Sequence, residues 1–518
     1  MKIDNIVIVG GGSAGWLSAA ALCRYFPEKK ITVIESKNIP IIGVGESTTA
    51  MMKHFINAHL NISDEEFMKG VDAIYKSAVK FEDFYFKGDK GYFYPFSSPF
   101  LNNSKIPGTG TWDVVKHFYP EIDNNDFVRS FFPASALFTN NKINTNLNGE
   151  FDNYNFRLDT GYHLDATKLG NYLKNSYCLP KGVHHIQADV IQINDSSNGI
   201  DNLILNDGQK IKADLFIDCT GFKSILLKDK MKPEFVDLSY KLPNNRAWAT
   251  PIKYKDVYKE MIPYTKSTAL KNGWAWYTPI ASRIGNGYAY CDKFTTKEEA
   301  LEEFKEYLLS DMVPINLTKE EVEKLPFFEL QMKAGYYKES MVKNVVGIGL
   351  SAGFLEPLEG TGLYFITEPL LQLVKILQRK GINQFIIDAF NNHIEEQFVD
   401  WSNTLALFYA QSIRDDSEYW KEIKNKKFGF KNFERITKDH GAQYNDAYSF
   451  IARGCEFAMD VDEATIDRWQ LYDGLDMDYK SYAEYLKDIF KERKNKWDSH
   501  ASTSLHIYDY LKNKGIIN

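Results

Sequence analysis

The hydrophobic pattern of this chain changes period along its length, and each period predicts a different element. Ile6, Val7, Ile8 and Val9 form an unbroken apolar run, the pattern of a parallel strand buried on both faces. A small-residue turn follows at Gly10, Gly11, Gly12, Ser13, Ala14 and Gly15. Ala19 to Leu22 then read as a helix, and Ile31, Thr32, Val33 and Ile34 as a second strand ending at the acid Glu35. Residues 183–193, 200–205 and 210–213 read as short strands separated by turns at 194–199 and at Asn206, Asp207, Gly208. Leu215, Phe216, Ile217 and Asp218 repeat the acid-tipped strand before Cys219, Thr220 and Gly221, and a third small-residue turn lies within 345–357. From Phe365 onward the apolar positions take helical spacing, first at Leu370, Leu373, Val374 and Leu377, then at Phe385, Phe390, Ile394 and Phe398. This change of period divides the chain into residues 1–364 and a mainly helical part, 365–518.

One segment has a period of two. In Gly273, Trp274, Ala275, Trp276, Tyr277, Thr278, Pro279, an extended backbone puts Trp274 and Trp276 on one face, as a single indole wall. The plainer reading is an aromatic strand packed in a core.

The amino-terminal pattern carries chemistry. Strand, GxGxxG turn, helix, second strand and terminal acid is the dinucleotide-binding order: Gly10, Gly12, Ser13, Ala14 and Gly15 allow close backbone approach, the helix start faces a pyrophosphate, and Glu35 can hold a ribose hydroxyl. A meander returning to a second strand and glycine turn resembles the FAD domain of two-dinucleotide-fold flavoproteins of the p-hydroxybenzoate hydroxylase type, an α/β fold. In that superfamily the segment holding Leu350 and Gly353 lies along the ribityl chain and ring of the flavin. No second GxGxxG offers a site for a nicotinamide cofactor, so the chain is expected to receive its flavin already reduced.

Further motifs make the resemblance narrower. Trp274, Trp276 and Pro279 match W-x-W-x-I-P, with Thr278 in place of isoleucine. Gly43 to Thr48, then Tyr75, Lys76, Val79, Lys80 and Phe81, then Glu356 to Gly362 add to the match, as do Tyr162 to Asp165 and Arg414 to Asp416 with Trp420. Over roughly residues 3–420 the sequence resembles the flavin-dependent halogenases of the tryptophan-halogenase family. Two departures stand out: Gly360 where serine or alanine is common, a change expected to enlarge the site or loosen it, and Ala50 where many members have proline.

The resemblance implies an enzyme using reduced FAD, O2 and halide to halogenate an electron-rich aromatic of the indole or phenol type. Hypohalous acid formed at the flavin would pass through a tunnel beside Trp274, Trp276 and Pro279 to Lys76. There it is hydrogen-bonded or carried as a haloamine, with Glu359 as partner acid. Gly45, Glu46 and Ser47 join the cofactor residues, and Thr361 and Gly362 hold the halide. A β-sheet substrate region and a C-terminal helical domain giving pocket and lid complete the expected architecture. The implied partners are a small aromatic substrate, a separate flavin reductase met transiently, and a second copy as a homodimer. Two other readings stay open: an FAD-dependent monooxygenase of an aromatic substrate, and a non-catalytic flavin-binding protein. Lys80 is the internal control for Lys76, and Tyr444, Tyr448 and Phe450 are substrate residues by location only.

Composition then removes other classes. At 518 residues with 44% hydrophobic, the chain can bury more than one core. A net charge of −7 gives no basic footprint for nucleic acid. No apolar run reaches a membrane span and no signal-peptide order opens the chain. Five scattered cysteines fit a reducing, cytoplasmic compartment, and no Cys or His cluster has metal spacing, so no metal is expected. The basic run 491–496 on an amphipathic tail is read as a solvated face.

Overall fold

The computed structural model describes residues 3–38, 45–101, 106, 108–379, 381–426, 428 and 478–517. Gly43, Val44, Tyr444, Tyr448, Phe450 and Cys455 lie outside the described residues.

The unbroken apolar runs meet in one sheet. Its order is Met341–Val342, Val345–Gly347, Leu215–Asp218, Asn5–Val9, Lys30–Glu35, His184–Gln187, parallel throughout except at the first pair. The helix Ser13–Tyr25 buries Trp16, Leu17 and Leu22 in the adjoining core. Residues 183–193 do not form one strand. The run divides at Ala188 and Asp189, so that His184–Gln187 extends the parallel sheet while Val190–Ser196 starts the meander with Gly199–Leu205 and Lys210–Ile211. The expected turn at 194–199 shortens to a hairpin closed by Gly199, whose φ of 118° is open to glycine.

A second, seven-stranded sheet runs Phe328–Gln331, Arg246–Ile252, Ile284–Tyr290, Gly273–Pro279, Tyr264–Ala269, Ala78–Glu82, Tyr92–Pro95. The tryptophan repeat is central in it. Trp274 and Trp276 face the main core, while Ala275 and Tyr277 face a separate core with Ile252, Ile284 and Phe304 beneath the helix Lys297–Leu308. A third sheet, Glu46–Ser47, Gly161–Leu164, Ile74–Lys76, is small. Its strand Ile74–Lys76 runs almost directly into Ala78–Glu82, which puts Lys76 at the junction of two sheets.

Helical spacing beyond residue 364 gives helices Tyr364–Leu377 and Gln384–Ala410. The turn within 345–357 does not lead straight into a helix: a short strand Gly353–Phe354 and a further turn intervene. One hydrophobic cluster includes Ile8, Trp274, Phe398 and Phe490, so sheet, wall and helices share a core. The tail helix Tyr479–Ser502 buries Tyr482, Leu486, Phe490 and Trp497, and packs on Thr111–Phe118 and Asn125–Phe131. Its basic run is not simply solvated. Arg493 is buried and donates to the Phe100 carbonyl at 2.9 Å, while Lys494 pairs with Asp126 and Lys496 with Asp152. Among the described residues no helix is long and apolar enough to cross a membrane.

Candidate active site

The glycines of the amino-terminal turn differ in what surrounds them. A Cβ on Gly10 would stand 2.1 Å from the Cys219 carbonyl oxygen, and one on Gly15 1.8 Å from that of Gly10, so both are fixed by close packing of strand, turn and helix. Nothing lies within 4 Å of a Cβ built on Gly12. That open approach to a helix start is what a pyrophosphate requires. Ser13 and Ala14 open the helix, and Ala14 meets the turn Gly349–Ser351, leaving Leu350 exposed beside it. Glu35 ends its strand against the turn, where one oxygen takes hydrogen bonds from Lys174 at 2.9 Å and His185 at 2.8 Å. Gly353 serves packing: a Cβ there would meet Phe398 and Tyr336 at 2.7 Å. These residues fit an FAD-binding cradle. Asp218, the second strand-end acid, is a brace instead. Its oxygens accept from Leu226 N, Leu227 N, Ser351 and Thr220.

Lys76 is fully buried at the sheet junction. Its Nζ donates to the Thr48 carbonyl at 3.1 Å and the Glu359 carbonyl at 3.2 Å, and lies 4.7 Å from the centre of the Phe96 ring. Burial pushes the amine down to about 7, against the pull of Glu359. Two carbonyl acceptors use two N–H groups, the full donor count of a neutral amine. Glu359 has the mirror situation: burial pushes its carboxyl up to about 7, and its buried Oε1 has no hydrogen-bond partner among the described residues. Glu46, in the same small sheet across the strand Gly161–Leu164, is also pushed up to about 7 by burial and by Asp165.

The turn after Glu359 holds the other predicted group. The Thr361 Oγ1 is buried without a partner among the described residues, and nothing lies within 4 Å of a Cβ on Gly362. Gly360 does not enlarge the chamber. Its φ is 76°, and a Cβ there would stand 2.4 Å from the Ser47 carbonyl oxygen, so glycine lets the two segments touch. Ala50, the second departure, is the first residue of helix Ala50–His54 after the cap Thr49, a position where proline and alanine both suit the backbone.

The tryptophans stand as one wall, ring centres 5.9 Å apart and planes 54° apart, with Pro279 closing the strand. Gly287 opposite is obligatory, since a Cβ would lie 2.0 Å from the Trp276 ring. Lys80 lies in a different sheet from Lys76. It pairs cross-strand with Lys266, and both amines meet Glu82 at 2.6 Å.

Two further buried residues with no assigned role have bonds in this region. His163 is buried, its Nδ1 at 3.0 Å from the Pro279 carbonyl and its Nε2 at 2.8 Å from the Thr265 hydroxyl, which also bonds Ser47 at 2.9 Å. A carbonyl only accepts, so the proton is on Nδ1; burial and Lys76 keep the ring neutral. Glu356 is the other, a saturated buried carboxylate whose donors include Trp274 Nε1 at 3.1 Å. The spacing Glu356-x-x-Glu359 was visible in sequence, but nothing there separated a satisfied acid from an open one.

The chain is a flavin-dependent halogenase, an enzyme that uses FAD, O2 and halide, by its likeness to known proteins of that class. The tryptophan halogenase family profile matches residues 5–449, and the chain belongs to that family. The match extends past residue 420, where the motifs legible in the sequence end. The tryptophan 6-halogenase ThaL of Streptomyces albogriseolus is 32% identical over 440 residues, covering 82% of this chain and 80% of that protein. The tryptophan 7-halogenase RebH of Lentzea aerocolonigenes is 30% identical over 439 residues, covering 82% and 79%. Among solved structures, apo VirX1 superposes with a TM-score of 0.90 at 32% identity over 99% of both chains. BrvH, a flavin-dependent halogenase from Brevundimonas sp. BAL3, gives 0.83 at 25% identity over 100% of both.

Proposed function

We propose that this enzyme halogenates an electron-rich arene of the indole or phenol type by receiving hypohalous acid at Lys76. Gly10, Gly12, Ser13, Ala14, Gly15, Glu35, Gly45, Glu46, Ser47, Leu350 and Gly353 hold the FAD, and Thr361 with Gly362 the halide. Reduced FAD supplies the electrons with which O2 and halide give hypohalous acid. Trp274, Trp276 and Pro279 keep arene and flavin apart, so oxygen transfer to the arene is disfavoured and the halogen crosses instead. At Lys76 the carbonyls of Thr48 and Glu359 orient the amine, leaving its remaining position for the electrophile. The Glu359 carboxylate, with an oxygen unengaged, steadies positive charge on the attacked ring and takes its proton. ThaL and RebH are named for halogenating tryptophan, which makes tryptophan or a larger indole the first substrate to try. Segment 365–518 contributes pocket and cover. The partners in this reading are a separate flavin reductase and a second copy in a homodimer, with the whole reaction in the cytoplasm.

The observation that carries the reading is the buried lysine amine between two carbonyls, beside an acid with an open oxygen. The test supplies the full chain with FAD, a reductase, NADH and each halide, over panels of indoles, phenols and pyrroles. Halide-dependent product is expected by mass spectrometry, and Lys76→Met should lower it by about 10²-fold or more, the scale of a lost proton-transfer or acceptor group. Lys80→Met should stay within about threefold, as for a residue outside the site. Hydroxylated product without halide dependence, or product surviving Lys76→Met, sinks the reading.

A further inference from the structure

Two glutamates three residues apart in one loop have opposite environments. Glu359 presents an oxygen with no partner among the described residues, whereas Glu356 is fully buried and fully engaged. Its Oε1 accepts the Asn244 N–H at 2.9 Å; its Oε2 accepts Asn244 Nδ2 at 2.8 Å, the Tyr409 hydroxyl at 2.5 Å and Trp274 Nε1 at 3.1 Å. Three of these donors crowd Oε2 and one takes Oε1, and all four are neutral. Both oxygens of this buried acid are thus engaged by the protein itself, so its effect passes through what it holds.

What it holds is the wall. Indole has a single N–H, and anchoring it fixes the ring about the one polar point it possesses. The same oxygen grips Tyr409 near the end of helix Gln384–Ala410, and Asn244 accepts from Tyr419 of helix Glu418–Lys424 at 3.2 Å. Wall, loop and carboxy-terminal helices are thus joined at one buried carboxylate. Burial pushes its proton affinity up while the hydrogen bonds pull it down.

We propose that Glu356 is a positioning residue for halogenation, fixing the Trp274 indole so that hypohalous acid reaches Lys76 rather than escaping. The inference rests on the Lys76 reading above. In the full chain with FAD, reductase, NADH, bromide and an indole, a diffusible 1,3-diketone is added as a trap; it exchanges a C–H for C–Br, releasing water from hypobromous acid. The ratio of brominated indole to brominated trap is measured. Glu356→Gln, which turns an amide donor toward donors, should lower that ratio about ten- to a hundredfold, the effect of losing one buried hydrogen bond to a charged acceptor. Trp274→Phe should lower it similarly, and the double variant no further, because both act through one ring. An unchanged ratio in Glu356→Gln, or drops that multiply in the double variant, overturns the proposal. Where Glu356→Gln does not fold, Tyr409→Phe removes one of the four donors and is tested against Trp274→Phe by the same criteria. Indole bromination surviving Lys76→Met would instead overturn the reading beneath it.

Discussion

At the scale of single residues, the site is defined by burial acting on ionisable groups. Lys76 and Glu359 are both brought to about 7, the amine from above and the acid from below. A neutral amine and an ionised carboxylate are both favoured above that value. Product formation at saturating substrate is therefore expected to fall as pH drops through about 7, and a profile flat between 6 and 8 would contradict the assignment. Stability carries the opposite signature. The folded amine binds its proton less readily than the unfolded chain does, so the burial cost is complete below about 7 and vanishes as pH rises toward 10.5. Lys76→Met removes that pH-dependent cost but strands the Thr48 and Glu359 carbonyls, so in paired denaturant titrations the stability difference should move in favour of Lys76 by a few kcal/mol between pH 7 and pH 10, a tenfold weakening of proton binding corresponding to about 1.4 kcal/mol. The sequence singled out Lys76 and Glu359 by motif, but burial, which makes them reactive, comes from distant segments. For Lys80 the sheet register decides: it follows Lys76 by four residues, yet it belongs with Lys266 and Glu82.

At the scale of elements, legibility followed period. The parallel strands and the long helices announce themselves because each buries a face of fixed spacing. The strand Ile74–Lys76 and the turn Glu359–Gly362 do not, being too short to show a period and held by partners far along the chain. Residues 183–193 read as one strand because nothing in their pattern marks Ala188 and Asp189, where the chain leaves one sheet for another. In sequence Gly360 reads as a wider or looser site; its positive φ and its approach to Ser47 show a constraint instead. Gly360→Ala should cost about 2–4 kcal/mol, a left-handed backbone penalty of about 1–2 kcal/mol joined by displacement of the Ser47 carbonyl. Because Ser47 leads into Thr48, whose carbonyl holds Lys76, activity should fall more than thermal stability alone explains. A variant with lowered melting temperature but wild-type turnover at 20 °C would refute that linkage.

At the scale of the whole molecule, the end of the chain reaches back to its middle. Leu505–His506 pairs with Lys142–Ile143, and Arg493 donates to the carbonyls of Phe100 and Ser130. The tail helix adds Tyr482, Leu486, Phe490 and Trp497 to the same cluster that holds Trp274 and Phe398. An amphipathic pattern in the sequence identified this helix but not its partner, because an apolar stripe specifies only that something covers it. The covering elements are Thr111–Phe118 and Asn125–Phe131, which follow the strand Tyr92–Pro95 and Phe96, the residue whose ring lies over Lys76. Removing the tail exposes that layer. Deletion of residues 478–518 should therefore expose several large side chains at about 1.5–3 kcal/mol each, a total comparable to the 5–15 kcal/mol by which most domains are stable. The truncated chain is expected to aggregate or to be cleaved within 100–138 by dilute protease, and to lose halogenation. Arg493→Met, which removes only the clamp, should fold, lower the melting temperature and leave FAD binding intact. If the truncated chain stays free of aggregation, protease-resistant and active, the tail is an appendage and not part of the core that supports Lys76.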